Sequence, residues 1–256
     1  PSGDYYLHFF SKKQPDLNWE NPVLRQEIWD LMRFWLDKGV DGFRMDVINM
    51  ISKVPDLPSV PATRDGFVQD ARHLMVNGPR LLEFLTEMRR EVLDHHDTIT
   101  VGETPGVDTS WGRALTNDTD GPLDMIFQFE HVDRGHGGKW ASGALDLVWL
   151  KGVMSRWQND LHGVGWNSLY LSNHDQPRQV SRFGDDGQYR VESAKMLAIW
   201  LHLHQGTPYV YQGEEIGMTN VAFTSLDEYR DIESLNYASE AAGRGVPAGE
   251  VLRTDP

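Results

Sequence analysis

Three acidic residues stand where extended apolar runs end: Asp46 in GVDGFRMDV, Glu103 in TITVGE and Asp175 in WNSLYLSNHDQPR. Cleavage of an acetal passes through an oxocarbenium-like transition state and needs two carboxyl groups in opposite protonation states. One is ionised and attacks; the other carries a proton for the leaving oxygen. Asp46 suits the first role. Arg44 lies two residues earlier on the same face of a strand, and a guanidinium within a few Å keeps a carboxyl ionised. Glu103 suits the second role, being longer and preceded by Gly102, which leaves room for a substrate; acid work requires its pKa to be raised. Asp175, with His174, would grip hydroxyl groups and stabilise developing charge.

Each of these residues has a plainer reading. An Asp ending a strand is about as often a turn former or a helix cap, and HD before Gln-Pro fits a helix N-terminus with His174 in a polar core. Phe127, Phe129 and Trp166 fit a core better than a sugar platform. Glu214 and Glu215 fit structural partners of arginines. The weight lies in the order and spacing of the set.

The elements that must position these acids are legible from periodicity. Asn21-Pro22 is an N-cap followed by Pro at the first helical position. Leu24, Ile28, Leu31, Met32, Trp35 and Leu36 recur at helical spacing until Gly39. Val40 to Val47 then reads as a strand. After a Pro/Asp/Gly-rich loop over 52–78, Pro79 opens a helix carrying Leu81, Leu82, Leu85, Met88, Val92 and Leu93. Thr98 to Val101 is the next strand, followed by a loop from Thr104 to Pro122. Met125 to Phe129 is a third, ending in the loop HVDRGHGGKW. Trp149, Val153, Trp157 and Leu161 mark a helix, Ser168 to Leu171 a fourth strand. Ala194, Leu197, Ala198 and Leu201 mark another helix, Pro208 to Tyr211 a fifth strand.

Strands alternating with helices imply parallel βα units, and acids at the C-terminal ends of different strands are how a (β/α) barrel builds its site. The expected fold is α/β: an incomplete (β/α)8 TIM barrel covering about the last five βα units, strands 4 to 8. A closed barrel needs about three more units of roughly thirty residues each, which are expected before Pro1.

Composition narrows the function classes. The 256 residues are 39% hydrophobic with 9 Trp and 10 Phe, enough for one large core. Net charge is −14, from 24 basic and 38 acidic residues. That field repels phosphate backbones and disfavours a nucleic-acid role, but does not hinder a neutral substrate. There is no cysteine, which suits a reducing, cytoplasmic compartment. No apolar run approaches the roughly 18 residues of a membrane span.

In order, DGFRMDVIN, VGETPG and NHDQPR resemble three of the four signature regions of glycoside hydrolase family 13, the α-amylase family. YYLHFFSKKQPDLNWENP, FQFEH, VSRFGDDGQYR, ESAKMLA and TPYVYQGEEIGMTN look like its oligo-1,6-glucosidase branch. The similarity runs from about Tyr5 to Asn236. It implies a retaining α-glucosidase that releases glucose from the non-reducing ends of isomalto-oligosaccharides. Asp46 would be the nucleophile, Glu103 the general acid/base and Asp175 the transition-state stabiliser. Arg44, His174, Val47 and Arg178 would bind substrate; Val47, directly after the nucleophile, resembles the branch preferring α-1,6 linkages. No cofactor is implied in this segment, and any calcium site would lie upstream of Pro1. Residues 1–20 are expected to end the loop-rich insertion (B) domain, and residues 21–256 to be the C-terminal part of the barrel.

Neighbouring branches remain open. Trehalose-6-phosphate hydrolases typically carry GEMSS and FNFHH where this chain has GETPG and FQFEH. Sucrose isomerases typically carry RLDRD where this chain has His131-Val132-Asp133-Arg134-Gly135. Related ectodomains that serve as non-catalytic transporter partners usually have a membrane anchor and often lose catalytic acids, whereas all three acids are present here. The family's first signature region would precede Pro1, and its RTPMQW arginine and β-sandwich would follow Pro256. The 256 residues alone are therefore expected to leave strand edges unpaired and to be inactive.

Overall fold

The structure is a computed structural model describing residues 3, 5–61, 71–133 and 145–254. Most of the HVDRGHGGKW loop, including Arg134 and Gly135, lies outside the described residues, as does the middle of the 52–78 loop. The chain divides into two compact units, Pro1–Gln128 with Leu161–Trp166, and Phe129–Asp160 with Asn167–Pro256.

In the first unit, helix α1 (Pro22–Asp37) begins where the sequence predicts. The Asn21 side chain accepts the Val23 N–H at 3.0 Å, and Pro22 occupies the first turn. Gly39, with φ 91°, turns the chain away from the helix. The buried face differs from the expected stripe. Arg25, Trp29, Met32 and Leu36 point inward, while Leu31 and Trp35 are exposed. Arg25 can sit there because its guanidinium has partners: Glu87 at 2.8 Å, the Trp19 carbonyl at 2.7 Å, and the Phe84 ring beneath it.

Three parallel strands follow in spatial order: β1 (Gly42–Met45), β2 (Ile99–Glu103) and β3 (Met125–Phe127). Between β1 and β2 lies helix α2 (Leu81–Glu91), whose Leu81, Phe84, Leu85 and Met88 are buried. Gly42 is required at the start of β1. Its φ is 155°, and a Cβ there would stand 1.9 Å from the Ile99 carbonyl oxygen. The predicted loop from Thr104 to Pro122 contains helix α3 (Thr109–Thr116). Asp108 caps it by accepting N–H groups of Ser110 and Trp111 at 3.0 and 3.1 Å.

In the second unit, the strands β4 (Ser168–Leu169) and β5 (Thr207–Pro208) pair in parallel. They are accompanied by α4 (Glu130–Asp133), α5 (Leu147–Leu161), α6 (Gln179–Phe183), α7 (Arg190–His202), α8 (Ile232–Gly243) and α9 (Ala248–Thr254). Val153, Trp157, Leu197 and Leu201 are buried as the periodicity predicts. Five parallel strands thus alternate with helices in two separate small sheets, an unclosed portion of a (β/α) barrel. Except for β2, which runs on to Glu103, the strands are shorter than predicted, and turns claim residues at the ends of β1 and β3. Val47 leaves the extended region at φ 35°, and the Phe129 carbonyl already accepts the Val132 N–H at 2.9 Å.

Candidate active site

The register of the first sheet brings two of the acids together. Met45 pairs with Gly102, so the next residues, Asp46 and Glu103, leave neighbouring strands side by side. Adjacent strands lie about 4.8 Å apart, and equivalent positions share a face. Arg44, on that same face, binds both carboxyls, with its Nη1 on Asp46 Oδ1 and its Nη2 2.9 Å from Glu103 Oε2. The two carboxyls also lie within hydrogen-bond reach of each other.

Their environments differ sharply. The Asp46 side chain is 75% exposed and the Glu103 side chain 7%. Burial pushes the Glu103 carboxyl above its ordinary pKa, and contact with Asp46 pushes the same way. The Val47 N–H, which donates to Oε2 at 3.1 Å, and the Arg44 charge oppose this. Oε2 already accepts from two N–H donors, so a proton on Glu103 belongs on Oε1. Burial works against the Arg44 charge, but its two carboxylate partners outweigh that and raise its pKa. A dry carboxyl biased towards its protonated form therefore sits beside a wet one, the division of labour that acetal cleavage needs.

Val47 makes the donation to Glu103 from the left-handed region, at φ 35° and ψ 43°. That conformation is uncommon for any residue with a side chain and an outlier for a β-branched one. Gly102 does not serve as expected. A Cβ there would meet Leu123 Cδ1 at 2.7 Å and Ile48 Cγ2 at 3.0 Å. The missing side chain thus makes room for packing under the site, not for a substrate.

The remaining candidates lie in the second unit and line one cavity of about 270 Å³. His174 and Asp175 are exposed, with His174 Nε2 3.0 Å from Asp175 Oδ2, so His174 does not belong to a polar core. The Asp175 N–H donates to Asn173 Oδ1 at 2.8 Å, which turns its carboxylate outward at the end of the strand run. Arg178 stacks over Tyr211 at 4.7 Å, donates from Nη1 to the Gln212 carbonyl, and has its own N–H on Asn220 Oδ1 at 2.7 Å. Glu214 is buried and has a raised pKa, chiefly from that burial. It accepts from the Ser172 hydroxyl and from the Tyr211 N–H. Glu215 accepts the Gly213 N–H at 2.7 Å. These two carboxylates brace the turn after β5 through hydroxyl and backbone donors, and the Arg178 charge also acts on Glu214.

The structure thus gathers Arg44, Asp46, Val47 and Glu103 at one point in the first unit, and His174, Asp175 and Arg178 around one cavity in the second. Tyr211 and Asn220, which line the same cavity, were not foreseen. Nothing in their local sequence marks them, because both reach the cavity from segments more than thirty residues away. Among the described residues, no group of three or more His, Asp or Glu side chains is arranged to hold a metal ion. No helix of the described residues is long and apolar enough to cross a membrane.

Residues 1–246 match the alpha-amylase catalytic-domain family. The chain is 63% identical over 242 residues to an oligo-1,6-glucosidase of Parageobacillus thermoglucosidasius, covering 93% of this chain and 43% of that protein. Its fold superposes on the trehalose-6-phosphate hydrolase of Bacillus licheniformis with a TM-score of 0.88 at 47% identity, covering 99% of this chain and 45% of the other. An isomaltulose synthase of Klebsiella sp. LX3 gives a TM-score of 0.89 at 36% identity, covering 99% and 46%. The chain spans less than half the length of each of these relatives.

Proposed function

Because this chain belongs to the alpha-amylase catalytic-domain family, we propose that it carries the catalytic acids of a retaining α-glucosidase acting on α-1,6 bonds of isomalto-oligosaccharides. The observation that carries the reading is the contact of a buried Glu103, its pKa raised by that burial, with an exposed Asp46, both gripped by Arg44. Inverting enzymes keep their carboxyls roughly 6.5–9.5 Å apart to admit a water, and retaining ones roughly 5–5.5 Å. Carboxyls within reach of each other leave no room for that water, which favours the second class.

The steps follow from these positions. Asp46 attacks the anomeric carbon from one face while Glu103 Oε1 gives its proton to the glycosidic oxygen on the other. The C–O bond to the leaving sugar breaks, and a glucosyl ester forms on Asp46. Water, deprotonated by Glu103, then attacks the same carbon and releases Asp46, and the two inversions restore the α configuration. Asp175 would stabilise positive charge on the ring, His174 and Arg178 would hold substrate hydroxyls, and Val47 would shape the pocket for the α-1,6 linkage. The reading carries with it a cytoplasmic location and an oligosaccharide partner. It also assigns residues 1–20 to the end of an insertion domain and 21–256 to the barrel.

Trehalose-6-phosphate hydrolysis is the second reading, favoured by the close superposition on such an enzyme. The full-length protein tests both. Isomaltose should be cleaved faster than maltose, sucrose or trehalose-6-phosphate, and NMR should detect α-glucose first. Asp46→Asn should lower kcat by at least about a thousandfold while sugar binding persists. Initial release of β-glucose, or an Asp46→Asn variant with near-normal turnover, would overturn the assignment.

A further inference from the structure

Strand pairing stops one residue before Asp46, so the ladder alone cannot set how far Asp46 stands from Glu103. Besides the Val47 N–H and Arg44, which act on the carboxyls themselves, the side chain of Asn49 joins the two segments beyond the ladder. It sits in a tight turn, Ile48–Met50, three residues after Asp46, and is completely buried. Its Nδ2 donates to the carbonyl of Pro105, two residues after Glu103, at 2.8 Å, and to Asn77 Oδ1, also at 2.8 Å. A backbone carbonyl can only accept, which settles the orientation of the Asn49 amide; Asn77 Oδ1 must then face it. Asn77 returns the bond through the backbone, its N–H donating to the Asn49 carbonyl at 2.8 Å, and its Nδ2 reaches Gly106 O at 3.4 Å.

Two features show that this cluster holds strain and does more than fill space. Val47 and Asn77, on either side of the clamp, are both left-handed, at φ 35° and 55°. Such conformations persist only where the surroundings over-determine them. Here the Val47 carbonyl accepts the Met50 N–H at 2.9 Å, closing the turn that Asn49 anchors, and the turned Val47 N–H meets Glu103. In addition, Asn49 Oδ1 is buried with no partner among the described residues. An apolar side chain of similar size would avoid that cost but would take the donor from the Pro105 carbonyl and Asn77 Oδ1. An amide that is imperfect for stability yet bonded to both catalytic segments is better explained by what it positions.

We propose that Asn49 is a positioning residue whose buried amide ties the segment after Asp46 to the segment after Glu103 and so sets the spacing of the two carboxyls. The proposal rests on the roles given to those two acids above. It adds a residue that never touches the substrate but governs the geometry of the pair.

The test uses the full-length protein with Asn49→Ala and Asn77→Gly. The second variant removes one arm of the clamp and leaves a residue that adopts φ 55° without strain. Misplacing reacting groups by about 1 Å lowers rates by roughly a hundredfold. Asn49→Ala should therefore lower kcat on isomaltose by about that factor with KM within about threefold, and Asn77→Gly should lower it by roughly tenfold. In both, the Glu103 carboxyl should titrate at a displaced midpoint, followed by 13C NMR and assigned by its loss in Glu103→Gln. Folded variants with kcat within about threefold of the parent and an unmoved Glu103 titration would overturn the proposal. Should Asn49→Ala fail to fold, Asn77→Gly decides by the same criteria. The titration needs no turnover, so a parent protein inactive on every α-glucoside would sink the enzymatic roles while the clamp is still judged.

Discussion

His131 is enclosed within the second unit, where its Nε2–H donates to the Tyr170 carbonyl at 2.7 Å and its ring packs edge-on against Tyr170 at 4.7 Å. Burial drives its pKa down to about 4, and the nearby Arg182 charge works in the same direction; the Tyr170 bond and Glu130 resist. In the unfolded chain the same imidazole titrates near 6.5. Between those values the unfolded chain takes up a proton that the folded chain refuses, so stability falls as pH falls from 6.5 to 4. At about 1.4 kcal/mol per pH unit, that gap is worth about 3 kcal/mol by pH 4, a substantial part of a typical domain's stability. Glu103 and Glu214, with raised pKa values, act in the opposite sense: their contribution is present at low pH and is lost as pH rises. A variant that alters His131 alone cancels them. His131→Gln keeps an N–H donor for the Tyr170 carbonyl and has no charge to gain. Urea unfolding of the full-length parent and variant at pH 7, 6, 5 and 4 should show the parent losing about 3 kcal/mol more than the variant across the series. Parallel losses would mean that His131 is not held neutral by its enclosure, and the reasoning would fail.

Two further predictions concern the first unit. Arg44 holds the Glu103 pKa down, so Arg44→Gln should let it rise and move the alkaline limb of kcat/KM to higher pH. A limb that moves to lower pH would contradict the assignment of Glu103 as the acid. Gly42→Ala would place a methyl group 1.9 Å from the Ile99 carbonyl oxygen, which as backbone cannot step aside. Loss of cooperative melting is expected there, and a melting temperature within a few degrees of the parent would show that the strand start is not as close to β2 as described.

Much of this was open to a reader of the chain alone. Asn21-Pro22 starts α1, Gly39 ends it, and apolar runs closed by Asp46 and Glu103 mark two strand ends, because caps, breakers and periodicity act through neighbours in sequence; the strand before Asp175 stops earlier, at Leu169. Asp108 followed by Thr109 and Ser110 could have revealed α3 as well, since it caps that helix by the same local rule. Parallel pairing followed from alternation of strands and helices.

Other features depended on residues tens of positions away. Arg25 displaced the expected apolar face of α1 because Glu87 and Trp19 were there to receive it. Gly102 faces Leu123 and Ile48, and Val47 is left-handed where an extended residue was expected. Asn49 carries no signal in its neighbourhood and acquires its role only when Asn77 and Pro105 arrive beside it. Residue types and spacing determined which groups could do chemistry. Which carboxyl is dry and which is wet was decided by the fold, because burial and hydrogen bonding belong to the packed neighbourhood and not to the chain.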